Sequence, residues 1–205
     1  MAYFPFFVDL DGKEGLVVGG GVVALRKLQK LLPYGPHLTA MAPKFLPEIK
    51  EITNITCLEI PFTPSALEGK SFVIAATDDH SLNQEIADLC CEKNIPLNVV
   101  DDPESCSFLF PALVKRGALS VGISTGGASP SAAVYVKERV EEALPECFEE
   151  ILGYLASVRE TIKSTIPEES CRAKILKGLF DTCMERGRPL TKAEFCAMLH
   201  QEESV

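Results

Sequence analysis

Three consecutive glycines have the spacing that most directly indicates chemistry. Gly19, Gly21 and Ala24 follow the pattern G-x-G-x-x-G/A, between a short apolar run and a helical pattern. Gly19 permits a tight turn, Gly21 has no Cβ to obstruct a pyrophosphate, and Ala24 allows the helix to pack closely on the strand. Backbone N–H groups around Val22 and Val23 would then face phosphates. The motif predicts a dinucleotide site; the other interpretation is a glycine turn without a ligand.

The segment that should hold the adenosine ribose is unusual. An acidic residue is expected about twenty positions after the glycines, but the chain there reads Met41-Ala42-Pro43-Lys44. Backbone groups at Pro43 and Lys44 are therefore expected to bound the ribose. Because the Lys44 ammonium could also attract a 2′-phosphate, NADP remains an alternative to NAD.

A pair of carboxylates follows a later apolar run. Asp101 and Asp102 come directly after Leu97–Val100, and ligands bind at the carboxyl ends of strands in open α/β sheets. A carboxylate there can accept a proton from a substrate, which typically contributes about 10²–10⁴ in rate. The other interpretation is a plain turn, since Asp and Pro suit turns. These residues alone favour neither interpretation.

Two further polar segments are candidate ligand contacts. Thr77 and Asp78 end a strand beside the expected cleft, although Asp78 or Asp79 could simply cap the next helix. The stretch Ser124-Thr125-Gly126-Gly127 could present backbone N–H groups to an anion or form only a turn.

Alternating strands and helices must position these residues. Such alternation implies βαβ units and a parallel sheet, an α/β fold of Rossmann type. The predicted strands are Leu16–Val18, Leu38–Met41, Thr56–Ile60 (weaker), Phe72–Ala76 and Leu97–Val100, with helices over Val22–Leu32 and Leu82–Cys91.

The chain changes character after Pro103. Two strands, Phe108–Val114 and Leu119–Ile123, precede a helix over Ser131–Leu144, with Ser129 as N-cap and Pro130 at the first helical position. From Glu146 onward the pattern is helical and acidic, and Thr191 with Glu194 predicts a capping box. We divide the chain into domains at 1–112, 113–147 and 148–205.

Composition excludes several classes of protein. The net charge of −9 disfavours nucleic-acid binding. The apolar stretches are too short to span a bilayer, and the first residues do not resemble a secretory signal, so we expect a cytoplasmic protein. The eight cysteines contain no C-x-x-C pair. We expect them to be small, buried and reduced, and we expect neither the cysteines nor His37 and His80 to bind a metal.

Four segments in order resemble one known family. The segments Gly19–Lys27, Ala75–Asp79, Asn98–Asp101 and Ser124–Pro130 are similar to the siroheme synthase N-terminal family, over most of residues 1–145. The family comprises precorrin-2 dehydrogenases, some of which are also sirohydrochlorin ferrochelatases. The resemblance implies a Rossmann NAD-binding domain, a small α+β segment that forms a homodimer (113–147) and a C-terminal helical domain.

The resemblance also implies the chemistry. Precorrin-2 would give two electrons to NAD and become sirohydrochlorin, and insertion of Fe²⁺ is left open. The catalytic aspartate of the family falls on Asp101, and its serine- or threonine-bearing stretch before Gly-Gly falls on Ser124 and Thr125. Precorrin-2 carries eight carboxylates, so cations must line the site of this acidic chain. Arg116 is the first candidate, because a guanidinium can bind a carboxylate with two hydrogen bonds; the others are Lys115, Lys137 and Arg139.

Two other functions remain open from the sequence. One is a non-catalytic NAD(P)-sensing module, which would need no carboxylate at Asp101. The other is a different NAD(P) oxidoreductase with a small acidic substrate.

Overall fold

A computed structural model describes residues 3–202 of the 205-residue chain. The chain forms two compact units. The first unit is Phe6–Phe110, and the second consists of residues 3–5 together with the chain from Pro111 onward. Among the described residues, no helix is both long and apolar enough to cross a membrane.

The first unit is built on a five-stranded sheet in the order β3-β2-β1-β4-β5. All four strand pairs are parallel, as the alternating pattern predicts. The strands are β1 (Glu14–Val18), β2 (His37–Met41), β3 (Ile55–Leu58), β4 (Phe72–Ala75) and β5 (Leu97–Val99). The carboxyl ends of β1, β4 and β5 therefore meet at one edge of the sheet, and the predicted cofactor and catalytic segments follow these three strands.

Helices and loops cover the sheet. They are α1 (Val22–Leu31), the single turn α2 (Pro47–Lys50) and α3 (His80–Glu92). On one side, Ala24 and Leu28 of α1 are fully buried with Val17 and Ile74. On the other side, Ile86 of α3 joins a second cluster of strand residues. The central strands are thus buried on both sides, which explains why they read as continuous apolar runs.

The second unit starts with an antiparallel hairpin. Strands β6 (Ala112–Arg116) and β7 (Leu119–Ile123) pair from Ala112↔Ile123 to Arg116↔Leu119. Helix α4 (Pro130–Ala143) begins at the predicted cap, where the Ser129 hydroxyl accepts a hydrogen bond from the Ala132 N–H at 3.1 Å. Val114 and Ala133 are buried in this part of the unit.

Three helices complete the second unit. They are α5 (Phe148–Thr165), α6 (Glu169–Arg186) and α7 (Lys192–Glu202), packed around an apolar cluster that includes Ile151, Ile162 and Leu179. The predicted capping box is present before α7: the Thr191 N–H donates to Glu194 at 2.7 Å, and the Glu194 N–H donates to the Thr191 hydroxyl at 3.4 Å.

Two expectations require correction. The strand predicted over Phe108–Val114 begins only at Ala112, because Phe108 and Phe110 pack on the core of the first unit instead. The eight cysteines are free, but only Cys90 and Cys183 are buried, while Cys57, Cys91 and Cys196 are exposed. Cys91 follows Cys90 in α3 and so points about 100° away from it around the helix axis.

Candidate functional site

The glycine turn after β1 fits closely between its neighbours. Gly19 has φ +138°, and a Cβ there would lie 2.2 Å from the carbonyl oxygen of Ala76. A Cβ on Gly20 would lie 2.0 Å from the carbonyl oxygen of Lys44. Only glycine fits at these two positions without a backbone shift. The same packing brings the segment around Lys44 to one side of the turn and the segment at Thr77 to the other.

The start of α1 is open. Gly21 precedes the helix in an extended conformation, and no side chain caps the first turn. A Cβ at Gly21 would meet no atom within 4 Å, and Val22 and Val23 are 52% and 38% exposed. No acidic residue lies in the first turn. Free N–H groups at the positive end of a ten-residue helix, with open space before them, fit a dinucleotide pyrophosphate.

The candidate ribose segment lies directly beside this turn. The Gly19 N–H donates to the carbonyl of Met41 at 2.9 Å, and the Leu46 N–H donates to the carbonyl of Gly20 at 2.9 Å. Pro43 and Lys44 lie between these anchors and are exposed. Their backbone is therefore held against the glycine turn, where the sequence motif predicts the ribose.

Several polar groups in the segment after β4 already form hydrogen bonds within that segment. The Thr77 hydroxyl is 2.7 Å from Oδ1 of Asn83, and Asp79 accepts the N–H groups of Ser81 and Leu82. Asp79, rather than Asp78, is thus the N-cap of α3. Asp78 is exposed.

Asp101 lies at the end of β5 in an uncommon conformation. Its φ is +61°, one of two positive values among the described non-glycine residues. The preceding Val100 N–H donates to the carbonyl of Ala75 at 2.9 Å, which ties this strand end to β4. The Asp101 carboxylate is exposed, and within residues 3–202 it forms no hydrogen bond. Left-handed backbone at a non-glycine residue concentrates at functional sites.

Asp102 has a different environment. The Ser105 hydroxyl donates to its carboxylate at 2.5 Å, and the Ser105 N–H donates to it at 3.4 Å. These hydrogen bonds lower the pKa of Asp102. Asp102 therefore holds its own loop together, whereas the carboxylate of Asp101 is available to a ligand.

A lysine and an asparagine near Asp101 were not selected from the sequence. Nζ of Lys27, on α1, donates to Oδ1 of the buried Asn98, on β5, at 2.9 Å. A polar residue inside the apolar run Leu97–Val100 was the available signal for Asn98. Nothing in the local sequence marked Lys27, because an exposed helical lysine would look the same.

The hairpin of the second unit separates two of the predicted substrate contacts. Ser124, Thr125, Gly126 and Gly127 follow β7 at the Ala112–Ile123 end, where the Thr125 hydroxyl donates to the Ser129 carbonyl at 3.0 Å. Gly126 and Gly127 have φ +62° and +87°. Arg116 lies at the other end of the hairpin, four strand residues or about 13 Å away. A single ligand can contact both places only if it extends along the hairpin.

The other candidate cations are already paired. Lys137 lies 3.5 Å from Glu141, and Arg139 lies 2.7 Å from Glu142, both along α4. Nζ of Lys115 donates to the carbonyl of Gly117 at the hairpin turn. Among the side chains that the structure describes, no three His, Cys, Asp or Glu residues are grouped as metal ligands.

The five-stranded parallel sheet and the open glycine turn at its carboxyl edge define an NAD(P)-binding protein of Rossmann type. The family described as "Putative NAD(P)-binding" matches residues 6–112, and the family described as "Sirohaem biosynthesis protein central" matches residues 116–143. The chain therefore belongs to this NAD(P)-binding family, and its segment 116–143 is similar to the sirohaem biosynthesis family.

Relatives agree with this assignment. The siroheme synthase of Thioalkalivibrio sulfidiphilus is 35% identical over 184 residues, which are 88% of this chain and 38% of the relative. Siroheme synthase 3 of Aeromonas hydrophila is 40% identical over 80% of this chain and 36% of its own length. The chain thus spans little more than a third of these relatives.

A solved structure matches along the whole chain. The structure of SirC, precorrin-2 dehydrogenase, has a TM-score of 0.75 and 25% identity, and the match covers 99% of this chain and 100% of that one.

Proposed function

We propose that the chain oxidises precorrin-2 to sirohydrochlorin with NAD, as a step of siroheme biosynthesis. One observation carries the proposal: the open glycine turn after β1 and the exposed Asp101 after β5 lie at the same edge of the sheet. β1 and β5 flank β4, so their ends are about 10 Å apart. The names of the relatives and of the matching structure support the tetrapyrrole substrate.

In this proposal some residues bind NAD and one, Asp101, accepts a proton. Gly19, Gly21, Val22 and Val23 would hold the pyrophosphate, with Pro43 and Lys44 beside the ribose and Thr77 and Asp78 on the opposite side. Bound NAD supplies a hydride acceptor. The substrate would lose a hydride and a proton, two electrons in all, and the Asp101 carboxylate would take the proton.

The second unit would supply substrate contacts and a dimer interface. We propose that Ser124, Thr125, Gly126, Gly127 and Arg116 contact the substrate, and that residues 113–147 form a homodimer. Large apolar side chains of Val134, Tyr135 and Val136 on α4 are 48%, 61% and 42% exposed, and burial of such side chains against a second copy of the chain supports the dimer. The eight free thiols support a reducing compartment such as the cytoplasm.

An anaerobic assay tests the function. Purified protein is mixed with precorrin-2 and NAD, and formation of NADH and of sirohydrochlorin is followed by absorbance; the same mixture with NADP measures cofactor preference. A parallel reaction with Fe²⁺ and sirohydrochlorin tests whether the chain also inserts iron. NAD binding without turnover would instead favour the sensing module, and turnover of another substrate alone would favour a different oxidoreductase.

A further inference from the structure

The ammonium of Lys27 contacts two residues, Asn98 on β5 and Phe110 in the segment after Asp101. Its ammonium donates a hydrogen bond to Oδ1 of Asn98 at 2.9 Å and lies 3.8 Å from the centre of the Phe110 ring. The residue is half-buried, although lysine usually keeps its ammonium in water. These contacts connect the cofactor helix α1 with β5 and with the segment after Asp101.

Asn98 depends on this lysine. The Asn98 side chain is 5% exposed, and its amide nitrogen donates to the carbonyl of Phe108 at 3.0 Å and to Sγ of Cys106 at 3.4 Å. Lys27 donates to the remaining polar atom, Oδ1. A buried acceptor without a donor is costly, so Lys27 stabilises the orientation of Asn98 and the strand end that leads to Asp101.

The charges around the ammonium make the contact sensitive to pH. Burial, and to a smaller extent the charge of Lys30 on the same helix, lower the pKa of Lys27 to about 8, against the opposing effects of Cys106 and Asp101. Burial raises the pKa of the Cys106 thiol, so the thiol is neutral near pH 8 and Asp101 is the anion that Lys27 faces. Lys27 therefore carries its charge at neutral pH and loses it just above.

We propose that Lys27 is a positioning residue for the dehydrogenation: held by Asn98 and Phe110, its ammonium fixes the end of β5 from which Asp101 acts. This role rests on the proposed function. A neutral amine is a weaker donor and has no cation–π attraction to Phe110. Loss of the proton therefore loosens the strand end, and turnover should decline as the pH rises through about 8.

Three variants measured as kcat and KM against pH test this role. Lys27→Arg keeps a charge at all these pH values, so its alkaline decline should disappear. Lys27→Met should give a flat profile near the low rate that the native chain reaches at alkaline pH, on the order of tenfold below the neutral rate, with NAD affinity within about twofold of native. Lys30→Met is the matched control on the exposed side of α1. The rate of Lys30→Met at neutral pH should equal that of the native chain. Its alkaline decline should move to higher pH, because the positive charge of Lys30, which lowers the pKa of Lys27, has been removed.

A second measurement does not depend on turnover. Acetylation of Lys27 in the native chain is followed by mass spectrometry across pH, with the exposed Lys30 as internal reference. Half-maximal reactivity near pH 8 supports the role. An alkaline decline that persists unchanged in both Lys27→Arg and Lys30→Met overturns it, as does loss of NAD affinity in Lys27→Met with kcat unaffected. If the native chain does not reduce NAD with precorrin-2 at any pH, the proposed function fails and this role fails with it.

Discussion

Nζ of Lys27 and Oδ1 of Asn98 lie 2.9 Å apart although the two residues are 71 positions apart in the chain. The contact joins the helix that begins at the glycine turn to the strand that ends at Asp101. This hydrogen bond therefore links the candidate dinucleotide site to the strand that carries the candidate base, and both lie in one unit.

Replacing Gly21 with valine should abolish NAD binding and leave the fold intact. The added side chain would fill the space before the first turn of α1, where no protein atom lies within 4 Å. Calorimetric titration with NAD and a thermal melt measure the two effects. Gly20→Val is the contrasting variant: its Cβ would collide with the Lys44 carbonyl, so it should lower the melting temperature as well. Native NAD affinity in Gly21→Val would exclude this site.

Replacing Asp101 should remove turnover but not NAD binding. Asp101→Ala should fold, bind NAD and lose kcat by about 10²-fold or more, because no carboxylate takes the proton. Since alanine at φ +61° adds about 1–2 kcal/mol of strain, Asp101→Asn is the cleaner variant, as asparagine tolerates this conformation. Asp102→Ala, which loses the hydrogen bonds to Ser105 and to the backbone of Glu104, should keep kcat within a few-fold. Normal turnover in Asp101→Asn would make Asp101 a turn residue and favour the sensing module.

The chain should be a homodimer at micromolar concentration. Sedimentation equilibrium should give twice the 22.3 kDa of one chain. Tyr135→Glu places a charge on the exposed apolar part of α4 and should shift the equilibrium toward the monomer, whereas Lys163→Glu on α5 should not. A native chain that sediments as a monomer would contradict the prediction.

Arg116 should bind a substrate carboxylate. We expect Arg116→Ala to raise the KM for precorrin-2 and to weaken its dependence on salt, because ion pairs are screened as ionic strength rises. Arg139→Ala is the matched control, since Arg139 is already paired with Glu142. An unchanged KM with unchanged salt dependence would mean that Arg116 does not contact the substrate.

Features that depend on neighbouring residues were predictable from the sequence. The glycine turn with its flanking strand and helix, the Ser129 cap and the Thr191–Glu194 capping box are all present where the pattern places them. Each is specified by side chains or backbone groups within a few positions. The parallel sheet was predictable for a related reason, since each βαβ unit allows essentially one handedness of crossover.

Features that depend on distant parts of the chain were not predictable. The start of β6 was placed too early because Phe108 and Phe110 look like strand residues but pack on the core of the first unit. Arg116 and Ser124 are eight positions apart, yet the pairing of β6 with β7 puts them at opposite ends of a hairpin. Lys27 could be assigned to a helix from its neighbours. Its burial, its contact with Asn98 and its lowered pKa arise only when α1 packs across the sheet onto the segment after β5, because desolvation and charge proximity depend on distances in space.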